Sequence, residues 1–219
     1  MWTKICGIRD PETALEVVRA GADAIGLNFY AKSPRAVAPA HAAEIVAALP
    51  AGTTVIGLFV NHPLAEVRAI AQQCRLTTIQ LHGDEPPQFL AGLREYQVIR
   101  AFRMGPAGLA PLEEYLHHCR SHAALPHACL IDAHVAGEYG GTGKTVPWDR
   151  LREEYRADWP RLILAGGLNP ENVAHAVQLV QPWGVDTASG VETAPGVKDL
   201  ARVRQFIAAA RERAAGAHG

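Results

Sequence analysis

Lys4 and Cys6 lie two residues apart in an apolar run, Trp2 to Cys6, so in an extended chain their side chains leave the same face. An ammonium beside a thiol favours the thiolate, which near neutral pH is a base or a nucleophile. The competing reading is a small buried hydrophobe at a strand end, which is what most free cysteines are. Leu130-Ile131-Asp132 ends another apolar run with a carboxylate, placed either to act on a ligand or to cap the next helix. The stretch that follows, Gly137-Glu138-Tyr139-Gly140-Gly141-Thr142-Gly143-Lys144-Thr145, separates Asp132 from any helix and weakens the capping reading. Its Gly143-Lys144-Thr145 looks like the end of a phosphate-binding P-loop. That motif requires glycine where Glu138 stands, and a helix where Val146-Pro147 follows. A mobile lid that closes over a site and excludes water accounts for the glycines better.

Two further glycine-bearing turns, Ala165-Gly166-Gly167-Leu168 and, just after Asp186, Ala188-Ser189-Gly190, follow the last two apolar runs. Glycines let backbone N–H groups approach an oxyanion closely, although tight turns alone would also need them. Ser33-Pro34-Arg35 offers a guanidinium, which pairs bidentately with a carboxylate; most loop arginines are merely solvated. His82, in Gln80-Leu81-His82-Gly83-Asp84, could titrate near physiological pH, with structural hydrogen bonding as the preferred reading. Cys6, Cys74, Cys119 and Cys129 are widely spaced and include no Cys-x-x-Cys pair, which reads as free thiols rather than a zinc site or a disulfide framework. His117-His118-Cys119 are adjacent and on a helix would point in different directions, so a solvated face is expected there and not a metal site.

What could bring these residues together is an alternation of short apolar runs with longer amphipathic stretches, the signature of βα units and a parallel sheet. Eight strands are expected at 2–6, 24–29, 54–60, 77–81, 98–102, 128–132, 162–165 and 184–187. Several are continuously apolar, as strands buried on both faces should be. Helix starts are expected at Asp10-Pro11-Glu12, Asn61-His62-Pro63 and Asn169-Pro170-Glu171, where an Asx cap precedes proline in the first turn. Ala14-Leu15-Val17-Val18, Ala43-Ile45-Val46-Leu49 and Val203-Phe206-Ile207 recur at helical spacing and would pack on the outside of the sheet. An open doubly wound sheet has the same local pattern as a (β/α)8 barrel. The unusual residues cluster just after strands, and only a barrel brings all its strand ends to one face, so the barrel is favoured.

The whole sequence fits this frame. Its 219 residues, 48% hydrophobic and 20% charged, suit one domain spanning 1–219 and give no sign of disorder or of a membrane span. With 21 Lys and Arg against 22 Asp and Glu there is no global field for nucleic acid or anionic lipid, so any anionic ligand must be held by local groups. Trp2-Thr3-Lys4-Ile5 lacks the apolar core of a secretory signal, which points to the cytoplasm.

In order, Lys4-Ile5-Cys6-Gly7-Ile8, Ser33-Pro34-Arg35, Gln80-Leu81-His82-Gly83, Gly140-Gly141-Thr142-Gly143-Lys144-Thr145, Ala165-Gly166-Gly167-Leu168 and Ser189-Gly190-Val191-Glu192 resemble the phosphoribosylanthranilate isomerase family, from residue 4 to about residue 199. The resemblance implies a (β/α)8 barrel with Cys6 as general base, Asp132 as general acid and Arg35 on an anthranilate carboxylate. It implies phosphate on the backbone of Gly166, Gly167, Ser189 and Gly190, with Lys4, His82 and Asp186 completing the substrate-binding set. The reaction would be an Amadori rearrangement of N-(5-phosphoribosyl)anthranilate in tryptophan biosynthesis, on a small phosphosugar, by a monomer or homodimer needing no redox cofactor or metal. Cys6 would have a lowered pKa assisted by Lys4, and Asp132 would act while protonated beneath a closed lid. The chain departs from the family pattern at Ala188, where a second serine is usual, and at Asn28 and Val146-Pro147. A histidine-pathway isomerase would carry Asp in place of Cys6; a noncatalytic phosphometabolite-binding barrel would keep the glycine turns without turnover.

Overall fold

The computed structural model describes residues 1–133 and 146–212; the stretch expected to form a lid lies outside them. Eight parallel strands, β1 (Trp2–Cys6), β2 (Ala24–Asn28), β3 (Thr54–Phe59), β4 (Thr78–Leu81), β5 (Gln97–Met104), β6 (Ala128–Ala133), β7 (Arg161–Leu164) and β8 (Gly184–Thr187), pair in chain order and close when β8 meets β1. Between and after them run α1 (Pro11–Arg19), α2 (Pro39–Ala47), α3 (Leu64–Gln73), α4 (Pro87–Ala91), α5 (Ala110–Ser121), α6 (Trp148–Glu154), α7 (Val173–Val180) and α8 (Leu200–Glu212). This is the (β/α)8 barrel, and closure selects it over the open sheet that periodicity left possible.

Two apolar shells hold it. Alternate residues point inward, so Ala24, Ile56, Ile99, Ala101, Ala128, Leu130, Ile163 and Ala165 fill the lower interior. The other face of the strands packs on the helices through side chains such as Ile5, Ile25, Phe59, Ile79 and Ile131, with Val17, Ile45, Leu116 and Phe206 opposite. Both faces being buried explains the continuous apolar runs. The register places Lys4 between Ala24 of the apolar interior on one side and Asp186 on the other, so closure of β8 on β1 brings two opposite charges together inside the barrel.

Helix entry differs from expectation at two of the three Asx-Pro starts. Asp10 caps α1 by accepting from the Thr13 amide at 2.8 Å. Asn61 caps nothing; at φ 55° its backbone N–H donates to Glu85 Oε1 and its side-chain Oδ1 accepts from the Asp84 backbone N–H, tying the β3 loop to the β4 loop. Asn169 accepts from the amides of Glu171 and Asn172, a turn that delays α7 to Val173. Two elements after β8 were not expected: a single 3-10 turn at Ser189–Val191, and a short antiparallel hairpin of β9 (Glu192–Ala194) and β10 (Val197–Lys198), with Lys198 opposite Glu192.

Candidate active site

A cleft of about 320 Å³ opens at the carboxyl ends of the strands. Cys6 closes β1, Asp132 stands near the end of β6, His82 follows β4, Gly166 and Gly167 follow β7, Asp186 lies on β8, and Ser189 opens the turn beyond it. All of these line the cleft, as does Arg35 from the β2 loop. Lys4 lies one inward position beneath Cys6 and is fully buried. Gly190 is packed behind the lining: a Cβ there would stand 1.9 Å from the Leu168 carbonyl oxygen, so only glycine lets the β7 and β8 turns meet. Gly166 and Gly167 have φ of 81° and 64°.

The interior charges form a pair, with Lys4 Nζ donating to Asp186 Oδ1 at 3.0 Å. Burial works against the Lys4 ammonium, but Asp186 and the neighbouring Cys6 outweigh it and hold its pKa above the usual lysine value. At Cys6 the balance falls the other way, and the expected lowering is corrected: burial pushes the thiol up and Asp186 adds to this, while Lys4 and Lys198 pull it down without prevailing. Proximity of a cation was legible from spacing; the removal of water around the thiol was not. On β4, Gln80 Nε2 lies 3.1 Å from His82 Nδ1, and His82 Nε2 faces Asp132 Oδ2 at 3.5 Å. If the Gln80 amide donates, Nδ1 is the acceptor and the ring proton sits on Nε2, toward Asp132. Buried Gln80 Oε1 and His82 Nε2 have no hydrogen-bond partner among the described residues, and both side chains line the cleft where ligand hydroxyls could meet them.

Arg35 is already engaged. Its Nε and Nη2 donate to the two carboxylate oxygens of Glu192 at 2.9 and 2.7 Å, a fork that turns one guanidinium edge away and leaves the Nη1 side for another acceptor. Burial disfavours ionised Glu192, but Arg35 and Lys198 hold its pKa below the usual glutamate range. Asn28 fixes the same loop, bonding the Ser33 hydroxyl at 3.0 Å and accepting from the Tyr30 amide at 2.9 Å. Asn28, Gln80, Glu192 and Lys198 were not among the expected site residues. Gln80 and Asn28 sit at inward strand positions, where spacing could have found them; Lys198 gives no such signal.

The chain matches the family model for N-(5′-phosphoribosyl)anthranilate isomerase over residues 3–209. The chain belongs to that family. The N-(5′-phosphoribosyl)anthranilate isomerase of Geobacter sulfurreducens is 49% identical over 209 residues, covering 95% of this chain and 97% of that protein. That of Moorella thermoacetica is 47% identical over 210 residues, covering 95% and 89%. Among solved structures, the phosphoribosyl anthranilate isomerase of Thermotoga maritima superposes with a TM-score of 0.85 at 37% identity, covering 96% of this chain and 98% of the other. Another phosphoribosyl anthranilate isomerase, solved with reduced 1-(o-carboxyphenylamino)-1-deoxyribulose 5-phosphate, gives a TM-score of 0.82 at 34% identity over the same shares. The barrel and the cleft at its strand ends are thus those of an isomerase family whose members act on a phosphorylated sugar.

Proposed function

We infer that Cys6 and Asp132 carry, in this chain, the reaction of its family: rearrangement of N-(5′-phosphoribosyl)anthranilate to 1-(2-carboxyphenylamino)-1-deoxyribulose 5-phosphate in tryptophan biosynthesis. The observation that supports the assignment is that one cleft brings together a thiol from β1 and a carboxyl from β6, three strands apart round the mouth, where they can approach one sugar from different sides.

Protonated Asp132 gives its proton to the furanose oxygen as the C1′–O bond breaks, and the anthranilate nitrogen supplies the electron pair that makes the C1′ iminium. The iminium acidifies the C2′ hydrogen. Cys6, as thiolate, removes that proton, and the freed pair forms the C1′–C2′ double bond while neutralising the nitrogen. The resulting enolamine tautomerises to the ketone. Atoms and electrons balance within the substrate, so the steps call for no redox cofactor or metal. The iminium also adds a positive charge beside Lys4 and Lys198, which favours the thiolate against burial.

Phosphate is held by backbone N–H groups of Gly166, Gly167, Ser189 and Gly190, and the anthranilate carboxylate by the open side of Arg35. His82 and Asp186 keep the polar walls, and Lys4 the charge beneath them. In this reading the chain works in the cytoplasm on a small phosphosugar, as a monomer or homodimer; a Thermotoga maritima relative is described as dimeric. No helix among the described residues is long and apolar enough to cross a membrane, and the balanced charge offers nucleic acid no field.

The test is turnover of freshly generated N-(5′-phosphoribosyl)anthranilate, followed by loss of anthranilate fluorescence, for the wild type beside Cys6→Ala and Asp132→Asn. Turnover reduced at least ~10²-fold in each variant is expected. A folded wild type that binds inorganic phosphate yet turns nothing over would favour a noncatalytic barrel instead.

A further inference from the structure

One buried cation has no part in the chemical steps. The Lys198 side chain, on the hairpin after β8, is 1% exposed, and that of its partner Glu192 is 3%. Its ammonium donates to Glu192 Oε1 at 2.7 Å and to the Ala188 carbonyl at 3.0 Å. A buried ammonium is a poor way to fill space, because its desolvation is offset only by well-placed acceptors. One acceptor lines the cleft and the other holds a residue that does. Ala188 enters the Ser189–Val191 turn, and Glu192 grips Arg35 with two bonds.

We propose that Lys198 is a positioning residue that joins the phosphate turn and the carboxylate-binding arginine into one unit. Held between Ala188 and Glu192, it fixes how far the phosphate turn stands from Arg35, and so matches the two anion sites to the two ends of one substrate. It also keeps Glu192 ionised, which orients the guanidinium. The charges acting on Cys6 are Lys4 from β1, Asp186 from β8 and Lys198 from β10, with Arg35 in the adjoining loop, so Lys198 is the second cation favouring the thiolate. The inference rests on the catalytic reading of Cys6 and the binding reading of Arg35.

The experiment is turnover of N-(5′-phosphoribosyl)anthranilate across pH by the wild type, Lys198→Met, Lys198→Gln and Lys198→Arg, each checked for folding by its thermal transition. Loss of the charge raises the thiol pKa, and the base acts deprotonated, so the acid limb of kcat/KM should move to higher pH in the Met and Gln variants. Loosened anion sites should raise KM roughly tenfold, as loss of a charged hydrogen bond would. Lys198→Arg should return both toward wild type. Lys198→Gln, which can still donate to Ala188, reads the charge effect if Lys198→Met does not fold. Wild-type KM and an unmoved acid limb in either folded neutral variant would overturn the proposal, as would an arginine variant displaced as far as the neutral ones. If the wild type itself shows no turnover, the catalytic reading fails separately, and the pH dependence of Cys6 alkylation in the same four proteins then decides whether Lys198 acts on the thiol.

Discussion

Cys6 is where burial and charge oppose each other most directly. Its thiol is pushed up by burial and by Asp186, and two lysines resist. In the free protein its alkylation, followed by mass spectrometry of the peptide that carries it, should therefore accelerate only above the ordinary thiol pKa of about 8.5. Because the base acts as the thiolate, kcat/KM should fall as pH drops through the raised pKa and climb into the alkaline range; a profile already flat at pH 6 would contradict this. Spacing alone made the Lys4–Cys6 proximity legible, because alternation in a strand is local. The opposing partner of Lys4 was not legible as such, since Asp186 is 182 residues away and is brought near only by closure. Arg35 was expected as a loop guanidinium awaiting a ligand, and its fork to Glu192 depends on a contact across 157 residues.

At the scale of elements, strands were easier to read than the turns that bear function. All eight were expected within a few residues of their observed bounds: several carry the unbroken apolar signature of burial on both faces, and the others follow from their alternation with amphipathic stretches. The β9–β10 hairpin has strands of three and two residues, too short for any period to show, and so Lys198 had no context in the sequence. That hairpin carries its own pH dependence. Glu192 has a folded pKa below its unfolded value, so it contributes stability that is present above the ordinary glutamate pKa of about 4.3 and is lost as pH falls through the lower folded value. Glu192→Gln should remove that part of the acid limb in denaturant titrations, while at neutral pH it loosens Arg35 and raises KM. The β7 and β8 turns form a second such unit. Gly190→Ala would force its methyl group onto the Leu168 carbonyl oxygen, so the turns must part, and affinity for inorganic phosphate, measured by calorimetry, should drop at least tenfold with α7 and α8 still folded.

For the molecule as a whole, the two ends of the barrel divide stability from chemistry. At the floor, Trp2 stacks on Trp183 with ring centroids 4.9 Å apart and planes 25° apart, and Arg161 lies over Trp183 at 4.8 Å, clamping the seam where β1 meets β8. Trp2→Ala should lower stability by about 3 kcal/mol in denaturant unfolding and leave kcat/KM within twofold. A large loss of turnover in the folded variant would show that the floor and the mouth are coupled. The seam also orders events in time. A ribosome lays down Lys4 at the start and Asp186 only after most of the barrel is made, yet the ammonium ends up with no solvent exposure. A nascent chain stalled before β8 must leave that charge hydrated, so it cannot dry its own interior, and the partly made barrel stays wet at the level of Lys4 until the eighth strand arrives to neutralise it.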